Sequence, residues 1–255
     1  MNIIVCAKQI PDISEMKIDP STNKPMVKGT PQIVNDIDKN AMEEAIKIKD
    51  KNGGKITVLT ISPDDAKERI KELLAMGADE GIIVKSPENI DYHMTAQLIA
   101  EAVKKIGNYD LILCGEASVD LFSGQIGPRV AGILNISQLT YAQKVDAGKD
   151  KITAERNTGD QMVTSESKYP ALVTVTKEIN EPRLPSLMEI LAAANKPINE
   201  WTANSLKSDL KTMVDTVELK GVSMDRKNIV YKDDLDESVQ KLVDNLAKDG
   251  VLGGW

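Results

Sequence analysis

Short apolar runs alternate with helical stripes through the first 115 residues, and this alternation restricts the chain to few folds. Asn2–Ala7, Lys55–Ile61, Gly81–Val84 and Leu111–Cys114 read as strands that are almost continuously apolar, as strands covered on both faces are. Between the first two, Ala41, Met42, Ala45, Ile46 and Ile48 form a helical stripe that Asp36 or Asp38 can cap and Gly53-Gly54 ends. Ile70, Leu73, Leu74 and Met76 mark a second helix, started by Ser62 or Asp64 and stopped by Gly77. Asp91–Ile106 is the third. Helical connectors of roughly a dozen residues or more join parallel neighbours. The expectation is a doubly wound α/β domain with a mostly parallel sheet, three layers deep and Rossmann-like.

After Gly132 the pattern changes. Leu139–Val145, Ile152–Arg156 and Gln161–Ser167 alternate like strands and are separated by turns, which predicts an antiparallel addition to the sheet. Ala171–Thr176 is a further apolar strand, and Pro185–Asn195 a helix. From Trp201 the chain is polar, with a strand-like Met213–Leu219 and an amphipathic helix over Leu235–Ala247. This divides the 255 residues into an α/β domain over 1–200 and a C-terminal stretch over 201–255, read either as an arm that packs on something else or as a loosely ordered tail.

Composition removes several functions. One Phe, two Trp and five Tyr provide few stacking platforms, and a formal charge of −7 with basic residues scattered among acidic ones disfavours nucleic acid. The apolar start is too short for a signal peptide or a membrane span, so a cytoplasmic protein is expected. A lone histidine, His93, allows neither a catalytic triad nor a two-histidine metal site. Cys6 and Cys114 stand at two strand ends and read as buried hydrophobes.

The stretch Asp110–Gly132 carries the chemistry. A strand leaves the sheet at Gly115, a loop follows with Ser118, Ser123, Gly124 and Gly127, and a helix starts near Gln125. Glycines admit a ligand close to the backbone, and a helix start offers free N–H groups to an anion. The spacing matches neither a dinucleotide fingerprint nor a P-loop, so an ordinary strand-to-helix turn remains the other reading. Ligands in such folds collect beyond the strands' carboxyl ends. Cys6-Ala7, Thr60-Ile61-Ser62 and Cys114-Gly115 meet there.

Thr174–Lys196, TVTKEINEPRLPSLMEILAAANK, resembles the signature segment of electron transfer flavoprotein beta subunits. NIIVCAKQIPD at Asn2, VNDIDKNAMEEA at Val34, LLAMGADEGIIV at Leu73 and CGEASVDLFSGQIGP at Cys114 resemble the same family. The resemblance covers at least the first 200 residues, and the C-terminal helix is similar to the arm that embraces an alpha subunit. It implies a heterodimer whose beta subunit binds a nucleotide: AMP in ordinary members, a second FAD in those that bifurcate electrons from NADH.

Carried over, the resemblance places the nucleotide against Cys6, Ala7, Asn35, Asp36, Ile37, Asp38 and Ile61. It continues through Gly115, Glu116, Ala117, Ser118, Val119, Asp120, Leu121, Phe122, Ser123, Gly124, Gln125 and Ile126, with Gly127 and Arg129 beside them. No side chain is catalytic, because redox chemistry belongs to the flavin. Asp120 reads as a ribose partner or a turn-former, and Arg129 as a phosphate partner or a helix-surface residue. The two aspartates of Asn35–Asp38 imply FAD and the bifurcating type, with their carboxylates capping the following helix. Leu184, Leu187 and Ile190 fall in the segment that docks on an acyl-CoA dehydrogenase, whereas helical spacing alone leaves open that they pack on the domain. A low-potential acceptor, ferredoxin or flavodoxin, completes the implied set. Two other functions remain open: a subunit holding structural AMP, and a stand-alone nucleotide-binding stress or signalling protein.

Overall fold

The computed structural model describes residues 1–206, 211–221 and 227–252. Its order is β1 (Asn2–Cys6), β2 (Gln9–Pro11), β3 (Gln32–Val34), α1 (Asp36–Asn52), β4 (Lys55–Ser62), α2 (Lys67–Met76), β5 (Glu80–Lys85), α3 (Tyr92–Ile106), β6 (Leu111–Gly115) and α4 (Ile126–Leu134). There follow β7 (Ser137–Ala147), β8 (Lys151–Asn157), β9 (Met162–Lys168), β10 (Ala171–Val175), α5 (Leu187–Ala193), β11 (Ile198–Thr202) and α6 (Leu235–Lys248). Nine strands form one sheet in the order β11-β5-β4-β1-β6-β10-β7-β8-β9. Pairing is parallel from β11 to β7 and antiparallel at β7–β8 and β8–β9.

Successive side chains of a strand leave on opposite faces, and here both faces are covered. Ile3, Val5, Leu111 and Leu113 join the apolar faces of α1 and α2 in one core. Ile4, Cys6, Ile112 and Cys114 join those of α3 and α4 in the other. The result is a mostly parallel three-layer α/β fold, as the apolar runs imply. The contacts divide the chain into two units, Met1–Leu219 and Lys220–Trp255.

Several boundaries differ from the sequence expectation, each for a physical reason. Ser62 completes β4 by pairing with Lys85, so α2 starts only at Lys67, whose N–H donates to Asp65 Oδ1 at 3.0 Å. The Pro-rich passage after β1 contains a small antiparallel pair, β2 with β3, and a further bridge from Ile18 to Pro25. Its strands are three residues each, too short to show a period. β11 escapes detection because it is an edge strand with exposed Asn199 and Glu200; the latter carboxylate pairs with Lys67 and Lys85. Residues 213–219 form no strand. The N–H groups of Met213 and Val214 instead donate to Asp91 Oδ2, whose Oδ1 caps α3. No helix among the described residues is long and apolar enough to cross a membrane.

Candidate functional site

A cavity of about 380 Å³ opens beyond the carboxyl ends of β1, β4, β5 and β6. The connections after β1 and β4 run to one face of the sheet and those after β5 and β6 to the other. Adjacent β1 and β6 therefore part at their ends, which is where such sheets bind ligands. Cys6 and Cys114, partners in register, line the floor. Burial, with Asp38 nearby, pushes the Cys6 thiol up to about 12, and burial raises Cys114 well above the ordinary range. Both stay protonated, which suits floor rather than redox chemistry.

The wall between β1 and β6 is tied by Asn35 and Asp38. Asn35 donates to Ala117 O at 3.0 Å and accepts from the Val119 N–H at 3.1 Å, holding the β6–α4 loop against the start of α1. The Asp38 carboxylate accepts from the N–H groups of Lys8 at 2.8 Å and Gly115 at 2.9 Å. Its burial pushes it up to about 6, against these hydrogen bonds. The capping reading of the two aspartates fails. Asn35 holds the cap position without a side-chain bond to the helix, Asp36 is exposed, and Asp38 is spent on the loops. Gly115 is required there, because a Cβ would stand 2.7 Å from Asp38 Oδ1 and 3.0 Å from Ile37 Cβ.

The other end of this loop meets Lys8 and the start of α4. Lys8 lines the cavity with its ammonium 2.6 Å from Asp120 Oδ2 and 3.4 Å from Ser118 Oγ. Arg129 donates to Gln125 Oε1 at 2.8 and 3.1 Å, so the Gln125 amide is held with its NH₂ left to donate. Gly124 takes φ +65, a conformation that favours glycine. Phe122, at φ 47, turns outward and is 66% exposed. Gly127 serves packing: a Cβ would lie 2.4 Å from Thr174 Cγ2, so only glycine lets α4 approach β10 this closely.

An electron transfer flavoprotein domain model matches residues 26–206 of this chain. The electron transfer flavoprotein subunit beta of Thermoanaerobacterium thermosaccharolyticum is 38% identical over 99% of this chain and 100% of that protein. That of Clostridium acetobutylicum is 38% identical over 82% of this chain and 81% of its own. The caffeyl-CoA reductase-Etf complex subunit CarD of Acetobacterium woodii is 37% identical over 79% and 78%. The chain belongs to the electron transfer flavoprotein family.

In this family member, Cys6, Ala7, Asn35, Asp38 and Ile61 line the cavity, as do Gly115–Ser118, Leu121 and Ser123–Ile126. Asp36, Ile37, Val119, Asp120, Phe122, Gly127 and Arg129 are outside the lining. Of these, Asp120 acts on the site through Lys8, and Arg129 through Gln125. Leu184, Leu187 and Ile190 lie elsewhere and are 93%, 71% and 50% exposed. The segment before them is anchored to α1: Arg183 clasps the buried Glu43 carboxylate at 2.8 and 3.0 Å, and Asn180 bonds Asn40 and Glu44.

Sequence reasoning missed the whole β5–α3 wall, including Ser86, Asn89, Ile90, Tyr92 and Thr95, together with Lys8 itself. The strand-end rule held the necessary signal, since β5 also ends at this crevice. The residues present fit a nucleotide: the Ile126 and Gly127 N–H groups at the start of α4 and the Gln125 amide stand at the cavity, and Ser118, Ser123 and Lys8 line it beside them.

Proposed function

We propose that this chain holds FAD in the cavity and, with an alpha subunit, passes electrons from NADH to an acyl-CoA dehydrogenase and to ferredoxin or flavodoxin. The observation that carries the reading is the cavity, with Lys8, Ser123 and the Gln125 amide at the start of α4. These groups would hold the diphosphate through hydrogen bonds, with the Ile126 and Gly127 N–H groups at the start of α4 as donors and Lys8 sharing its charge between Asp120 and the ligand. Asn35 and Asp38 spend their side chains on backbone groups, so the loops they tie face the ligand with fixed dipoles. When bound, the flavin supplies electron exchange, singly or in pairs. Leu121, which lines the cavity and is half exposed, offers apolar contact for a ring beyond the phosphates.

An acyl-CoA oxidoreductase as partner is supported by two relatives whose names are caffeyl-CoA reductase-Etf complex subunit CarD and acryloyl-CoA reductase electron transfer subunit gamma. The exposed Leu184, Leu187 and Ile190, on a segment clamped by Arg183, provide a docking surface for it. A second reading, structural AMP, is favoured by the cavity's modest volume, near the lower end of the ligand-site range of about 300–1,000 Å³. Flavin and AMP counted in the native heterodimer decide between them. Two flavins and NADH oxidation with both acceptors present are expected; one flavin with stoichiometric AMP and no NADH oxidation overturns the FAD assignment.

A further inference from the structure

We propose that Glu43, a buried residue of α1, positions the docking segment, so that Leu184, Leu187 and Ile190 meet a partner already in place. This rests on the docking reading above and adds the group that sets the segment's geometry. The segment has little of its own to hold it. Leu184, Leu187, Met188, Ile190 and Leu191 are all exposed. Ser186 and Glu189 bond each other's backbone N–H groups as a capping box, which shapes the start of α5 without fixing it to the domain.

Fixation comes from the segment's two ends. At the first, Glu43 Oε2 accepts from Arg183 Nε at 2.8 Å and from the Arg183 N–H at 3.1 Å, while Oε1 accepts from Nη2 at 3.0 Å. One turn earlier, Asn40 donates to Asn180 O at 2.7 Å, and Asn180 donates back to Asn40 O and to Glu44 Oε2, each at 3.1 Å. Asn40, Glu43 and Glu44 are all buried on α1 and all turned to residues 180–183. At the second end, the Lys196 ammonium donates to Leu74 O at 2.9 Å and Ala78 O at 2.7 Å, where α2 ends. A forked, charge-assisted pair fixes direction as well as distance, so the Glu43 clasp sets the angle at which the chain leaves α1. A loop ordered in advance loses less entropy on association than one ordered by its partner. Glu43 is enclosed and cannot itself touch a partner, so its influence on docking passes through Arg183.

The test is steady-state electron transfer from a purified short-chain acyl-CoA dehydrogenase, reduced by butyryl-CoA, to varied concentrations of the heterodimer with its alpha subunit. Glu43→Gln keeps the shape of the side chain and removes its charge. It should raise KM for the heterodimer about 3- to 10-fold at unchanged kcat, with faster amide exchange over residues 184–191. Arg183→Lys, which keeps the charge and loses the fork, should act in the same direction and makes the test if Glu43→Gln does not fold. Leu187→Ala should raise KM by removing a docking contact. An unchanged KM in the folded clasp variant, or a fall in kcat alone, overturns the positioning role, while a raised KM in Leu187→Ala keeps the docking reading. A wild-type heterodimer that takes no electrons from the dehydrogenase, or a KM that Leu187→Ala leaves unmoved, overturns the docking reading and the positioning role with it.

Discussion

Helices α1 and α6 carry the same kind of sequence and meet different fates. Each has an apolar stripe and a charged remainder. In α1 the stripe is covered by the sheet, and Ala41, Met42 and Ala45 are fully enclosed. In α6 no residue is buried, and Leu235, Val239, Leu242 and Val243 all stay exposed. An amphipathic pattern states that a face will be covered; it does not state by which chain. The first region closes on itself around the cavity, while within its own unit the last helix leaves its stripe uncovered.

The contrast is broken most directly in the core. Leu98 of α3 is fully buried between the sheet and α4, so Leu98→Ala should cost about 2–5 kcal/mol in urea unfolding. A loss near zero would mean that the first region is no better packed than the last.

A second difference concerns charge. Asp38 is the cavity wall's buried carboxylate, and burial raises it from 3.8 to about 6. Between those two values the folded chain keeps a proton on Asp38 that the unfolded chain has released. The group's contribution to stability is therefore fully present below pH 3.8, declines as pH rises and levels off above about 6. The unfolding free energy of the wild type minus that of Asp38→Asn should fall over this window. A difference that rises instead would show that the N–H donors of Lys8 and Gly115 outweigh burial.

The same physical split explains what the sequence made legible. β1, β4, β5 and β6 were readable because burial on both faces makes a strand apolar throughout, and the glycines at 53 and 77 stand where the first two helices end. β2 and β3 were too short, and β11 too polar, to show a pattern. Met213–Leu219 has a strand-like pattern but its first N–H groups go to Asp91. At the site, the Gly115–Ile126 loop announced itself by small residues. The Ser86–Thr95 wall did not, because its place beside that loop follows from strand order, with β5, β4, β1 and β6 side by side. The capping error at Asp38 has a similar origin: whether a carboxylate caps its own helix or ties two distant loops depends on what the sheet brings near it.

In α6 the local contribution is the helix cap. Asp234 accepts from the N–H groups of Asp236 at 3.1 Å and Glu237 at 3.2 Å. Asp234→Ala should cost α6 about 1 kcal/mol, read as faster amide exchange along Leu235–Lys248 with exchange in α1 unchanged. Exchange that accelerates equally in both helices would show that the arm and the α/β region unfold as one.

The smallest effect on stability is the most informative about assembly. Leu242 and Val239 lie one turn apart on the exposed stripe of α6, so replacing both with Ser removes apolar surface that is in contact with water in the isolated chain. Exposed substitutions of this kind change stability by about 0.5 kcal/mol or less, and the urea midpoint of the lone chain should stay where it was. In the proposed heterodimer the same side chains are covered. Each buried aliphatic side chain contributes roughly 1.5–3 kcal/mol, so the double variant should weaken association with the alpha subunit by at least about tenfold. The pair of measurements separates two explanations of the stripe. A lowered urea midpoint in the lone chain would mean that α6 already packs on its own chain in solution. An unchanged midpoint together with unchanged association would mean that the stripe meets neither, and the contrast between α1 and α6 would then carry no information about a partner.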